Sequence, residues 1–89
     1  MPLFIIEREF ADQLDLTDDD VRAIEEINDD TGVRWIYSFL SADKKKTYCL
    51  YEAPSAELIL EAAHRASVPA DTILPVEQFD PRAFVASQG

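Results

Sequence analysis

Val33-Arg34-Trp35-Ile36-Tyr37-Ser38-Phe39-Leu40 and Thr47-Tyr48-Cys49-Leu50-Tyr51-Glu52 are the two stretches that decide the fold. Both are dominated by β-branched and aromatic residues, which suit a pleated, half-buried surface. Ser41 to Lys45 lies between them as a polar turn, so the pair reads as an antiparallel hairpin. A turn of that length places Trp35 near Tyr51 and Tyr37 near Cys49.

Upstream of the hairpin, Leu3 to Phe10 reads as a strand rich in Phe and Ile. Thr17 follows with Asp20 three residues on, the signature of a helix N-cap with acids in the first turn. Val21, Ile24 and Ile27 continue at helical spacing, and Gly32 supplies the stop. Downstream, Pro54 and Ser55 open a second helix whose buried face is Ile59, Ala62, Ala63 and Ala66. Pro69 ends it. Thr72 to Glu77 is a short fourth strand, placed at an edge by Pro75. The order β-α-β-β-α-β predicts an α+β fold of ferredoxin-like kind: a four-stranded antiparallel sheet with two helices on one face. Residues 1–79 form this domain and 80–89 a C-terminal tail with one turn around Pro81 to Val85.

Two helices cover one sheet face only, and period-two alternation assigns side chains to each face. Phe4, Ile6, Phe10, Ile36, Leu40 and Leu50 are expected beneath the helices. Trp35, Tyr37, Phe39, Tyr51, Cys49 and Thr47 are then expected on the open face, beside Ile5, Glu7 and Glu9. A slip of one residue would exchange the two sets. Either set leaves a large apolar surface, which predicts a homodimer, as a dimeric α+β barrel or a sheet-to-sheet pair.

The composition narrows the function. The chain has 89 residues and a net charge of −10, with the acids spread along its length, so a nucleic-acid backbone would be repelled. Met1 to Ile6 has no basic flank and too short an apolar run for a signal peptide or a membrane span. The single cysteine excludes disulfide staples and fits a reducing cytoplasm. Two glycines leave no phosphate-binding loop.

Four residues on the expected open face, Trp35, Tyr37, Cys49 and Tyr51, are the candidate ligand pocket. Glu7 is the candidate general base and Tyr37, or Tyr51, the candidate proton donor, because a carboxylate desolvated among aromatics would have a raised pKa. His64, the only histidine, lies about 140° from Ile59 on a helical wheel, near Glu57 and Glu61. It reads as a surface histidine or, with Glu57 and Glu61, as a candidate metal ligand.

Four stretches also carry a resemblance: Phe4-Ile5-Ile6-Glu7-Arg8, Val33 to Ser38, Thr47 to Pro54, and Arg65-Ala66-Ser67-Val68-Pro69-Ala70-Asp71. In this order they resemble a family of small bacterial proteins, largely a domain of unknown function, with nickel-binding members and a dimeric ferredoxin-like fold. The resemblance implies a homodimer and nickel as the metal. Family members commonly carry histidines where this chain has Tyr37 and near Ala62. The donors left here are Glu7, Cys49, Glu52 and a shifted His64. Two functions follow as expectations. One is a small dimeric protein binding a divalent metal or a small ligand at the open sheet face. The other is a dimeric α+β barrel enzyme, of isomerase, cyclase or monooxygenase type, using Glu7 as base.

Overall fold

The computed structural model describes residues 1–83. Six elements follow in the expected order: β1 (Leu3–Glu9), α1 (Asp18–Thr31), β2 (Arg34–Leu40), β3 (Lys46–Glu52), α2 (Ala56–Arg65) and β4 (Thr72–Val76). The strands form one antiparallel sheet in the order β2-β3-β1-β4, which makes the fold ferredoxin-like and puts Pro75 on an edge strand. A helical turn begins at residues 81–83, and the rest of the expected tail turn lies outside the described residues. Among the described residues no helix is long and apolar enough to cross a membrane.

Each helix begins and ends for a local reason. The Thr17 hydroxyl accepts from the Asp20 backbone N–H, and the Asp20 carboxylate accepts from the Thr17 N–H, a reciprocal capping box. At the other end Gly32 has φ 77°, in the left-handed region, and its N–H donates to the Asn28 and Asp29 carbonyls. In α2, Ser55 caps the Leu58 N–H. Ala62 and Ala63 are buried on its inner side, and side chains this small let α2 lie close to the sheet. Ion pairing between Arg65 and Asp30, at 3.3 Å, joins the ends of the two helices.

The core gathers Phe4 and Ile6 of β1, Cys49 and Tyr51 of β3, and Ile59 and Ala62 of α2. Ile6 and Ile59 are its largest fully buried side chains, each contributing about 1.5–3 kcal/mol by leaving water.

The helix-side assignment of Phe4 and Ile6 holds, but the β3 assignment is reversed. Opposite residues in an antiparallel ladder share a face. Cys49 lies opposite Ile6, Tyr51 opposite Phe4 and Thr47 opposite Arg8, so Thr47, Cys49 and Tyr51 belong beneath the helices and Leu50 to the open face. On β2 the cause is a β-bulge between Trp35 and Tyr37. Trp35 pairs with Tyr51 as expected, but Ile36 is the extra residue, and beyond it Ser38, not Tyr37, faces Cys49. Trp35 therefore sits on the helix side while Tyr37 and Phe39 sit on the open side. Ile36 borders the open-face groove instead of entering the core.

Candidate functional site

On the helix side, a cavity of about 160 Å3 lies between the sheet and α1. Its floor is Trp35, Leu40, Cys49 and Tyr51; its roof is Ile24 of α1 with Leu14 and Leu16 of the loop before it. The loop is held there by its backbone: the Phe10 and Leu14 N–H groups donate to the Lys45 and Lys44 carbonyls, each at 2.8 Å. The β1–α1 connection is thereby strapped to the hairpin end. Trp35 and Tyr51 lie in near-parallel planes, 6° apart with centroids at 6.3 Å. The Trp35 indole N–H donates to the Ser38 hydroxyl at 2.7 Å, which spans the bulge and fixes the ring as one wall.

Polar atoms collect at one wall. Arg8 is only 6% exposed, though flanked in sequence by two glutamates. Its guanidinium donates to the Pro69 carbonyl and stands 5.8 Å from the centre of the Tyr51 ring. No carboxylate pairs with it among the described residues. Behind this wall is a second void of about 10 Å3, bordered by Arg8, Tyr51 and Asn28. Asn28 is 3% exposed, and its Nδ2 has no hydrogen-bond partner. Burial raises the Tyr51 hydroxyl above its ordinary value of 10.0, with Arg8 and Asn28 acting in the opposite direction, so the phenol stays neutral at ordinary pH.

The candidate ligand residues divide between the two faces. Trp35, Cys49 and Tyr51 meet in the cavity, while Tyr37 is on the opposite face, carried there by the bulge. Cys49 is buried with its thiol 3.6 Å from the Thr47 hydroxyl. Glu7 is on the open face, opposite Tyr48. There it pairs with Lys46 at 3.2 Å, and the same ammonium reaches Glu9 at 3.0 Å. Glu9 first and Glu7 second raise the Lys46 pKa well above its ordinary value. Tyr37 is two strands from Glu7, a lateral distance of roughly 10 Å, so the proposed base and donor do not address one point. The metal set also disperses: Glu7 is on the open face, Cys49 beneath the helices, and His64 exposed on α2. Among the described residues no three of His, Cys, Asp or Glu gather as a metal site.

Sequence reasoning missed Arg8 and Asn28. The signal for Arg8 was its place in alternation with Phe4 and Ile6, which puts it on the helix face. Nothing local marks Asn28, one position beyond the last apolar residue of the α1 stripe.

The open face carries its own surface. Tyr37, Phe39 and Leu74 are 51%, 62% and 55% exposed, with Ile5, Leu50 and Tyr48 between them in the sheet. Arg34 and Glu52, paired at 3.2 Å, border it at one end and the Lys46 cluster at the other.

No curated protein matches the chain. Among solved structures, the crystal structure of SCO4226 from Streptomyces coelicolor A3(2) is similar, with a TM-score of 0.67 and 23% identity over 88% of this chain and 99% of that one. That likeness establishes the shared fold. Residues 4–76 match the family described as nickel responsive protein SCO4226-like, a span that runs from the second residue of β1 to the end of β4. The chain belongs to the SCO4226-like family of nickel responsive proteins.

Proposed function

We propose that the chain is a homodimeric binding protein that takes a small apolar molecule into the cavity between its sheet and α1. The supporting observation is the cavity itself, about 160 Å3 and walled by Trp35, Leu40, Tyr51 and the strapped loop. An apolar space of about 150 Å3 holds a benzene-sized guest. The open sheet face is the interface between the two copies, and the unpaired Cys49 thiol suits the reducing cytoplasm. Because Glu7 and Tyr37 are separated, the reading is of binding and not of turnover.

Nickel is bound best by imidazole nitrogens, and the residues of one chain do not fit a nickel centre. His64 is alone and exposed, Cys49 is enclosed, and Glu7 is already bridged by Lys46. In this reading the link to nickel does not pass through a metal site within one protomer. Calorimetric titration of metal-free protein with nickel is expected to give no saturable heat at micromolar concentration. A stoichiometric, submicromolar site would overturn this.

Trp35 is the only tryptophan in the chain, so its fluorescence reports on the cavity alone. Titration with uncharged 2-phenylethanol is expected to change its emission saturably. A linear response with no saturation, both for this alcohol and for the carboxylate of the same shape, would remove the cavity reading.

A further inference from the structure

The polar wall of the cavity holds a buried cation that has no counter-charge among the described residues. Arg8 brings five N–H groups and a full charge into a site where it is 6% exposed. Its partners are the Pro69 carbonyl and Tyr51, through the ring and the hydroxyl, all uncharged. A buried cation without a counter-charge is costly, and such groups are ordinarily paired. Independently, Asn28 Nδ2 is a buried donor with no partner, in the small void that shares Arg8 and Tyr51 with the main cavity. Buried donors in folded proteins are almost always satisfied, so an orphan next to an unpaired guanidinium needs an explanation. The Tyr51 hydroxyl stands between the two, and both act on it as donors that lower its pKa.

An enclosed guanidinium with several N–H groups and no counter-charge asks for an anion with more than one acceptor atom. Most of the remaining lining is apolar, with Leu14, Leu16, Ile24, Leu40 and the Trp35 ring beside the Ser38 and Thr47 hydroxyls. An inorganic anion would satisfy the wall and leave that space unfilled. A neutral hydrocarbon would fill the space and leave the wall unsatisfied.

We propose that the cavity is a binding site for a small monocarboxylate with an apolar body about the size of one aromatic ring, its head on Arg8 and its body against Trp35. Planar guanidinium groups suit carboxylates in particular, since two parallel N–H groups match the two oxygens. The net charge of −10 gives no long-range attraction for such an anion, so selectivity rests on this one enclosed cation.

The inference rests on the cavity reading above and goes beyond it, and the test separates the two. Phenylacetate and 2-phenylethanol have nearly the same shape and differ in head group. With the Trp35 signal at neutral pH, phenylacetate is expected to bind about tenfold or more tightly than the alcohol, the effect of one charge-assisted hydrogen bond. Asn28→Asp places a negative charge at the wall and is expected to abolish that preference while the alcohol still binds. Arg8→Met is expected to do the same, and Asn28→Asp decides the matter if the Arg8 variant does not fold. Equal affinity for the two compounds, or a preference unchanged in Asn28→Asp, overturns the carboxylate assignment and leaves the cavity reading standing. Failure of both compounds to bind overturns both.

Discussion

Thr17 and Asp20 hold the start of α1 by two bonds across three residues. The Asp20 carboxyl is kept below its ordinary value of 3.8, first by the Thr17 backbone N–H and then by the Thr17 side chain. A carboxyl whose pKa is depressed by folding stabilises the fold in full above its ordinary pKa and loses that contribution as pH falls through the lowered one. Thr17→Ala is expected to cost about 1 kcal/mol at neutral pH, as lost caps do. The stability gap between the natural protein and Asp20→Asn should close on acidification below the ordinary carboxyl value. Urea midpoints followed from neutral pH down through the carboxyl range measure both. A gap that widens in acid would mean that the Asp20 carboxylate is not what the cap relies on. Such a motif is legible in sequence because all its partners are local. Arg8 is the opposite case. Glu7-Arg8-Glu9 looks like the charged end of a strand, and only pairing with Thr47, thirty-nine positions away in the chain, shows that Arg8 is enclosed.

The elements themselves were legible, since their causes are short-range: caps, glycine and proline stops, and apolar spacing. Strand ends read from the sequence lie within one residue of those observed. What alternation did not supply was its own phase. A strand such as β3 is apolar on both sides, with Cys49 and Tyr51 alternating with Tyr48 and Leu50, so composition does not say which set is inward. The choice is made by β1, whose Ile6 and Phe4 face Cys49 and Tyr51 and bring them under α2. In β2 even a correct phase at Trp35 fails at Tyr37, because one additional residue, Ile36, restarts the count. Trp35 lies opposite Tyr51, which is two positions from Cys49, so pairing and alternation put these three on one face, while the bulge carries Tyr37 to the other.

For the molecule as a whole, the exposed face of Tyr37, Phe39, Tyr48 and Leu74 is the feature that a single copy leaves unaccounted for. Pairing two copies through it would bury about 1,200–2,000 Å2, the range of stable interfaces. Light scattering is expected to give twice the 10.1 kDa chain mass, falling to a single mass in Phe39→Lys. Because Phe39 is 62% exposed, that variant should melt within a few tenths of a kcal/mol of the natural monomer fold. Since each copy carries −10, added salt should tighten the pair by screening their mutual repulsion. A natural protein that runs as a monomer at all salt concentrations would sink the proposed interface.

The bulge at Ile36 has one more effect. β2 and β4 are the two edges of the sheet, and an edge offers unpaired N–H and C=O groups on which further strands can grow into fibrils. Ile36 breaks the regular spacing of one edge, and Pro75 removes a donor from the other. Neither border presents a clean template for a foreign strand. A chain that exposes this much aromatic surface is thus guarded against polymerising edge to edge, and association is directed to closed, face-on contacts.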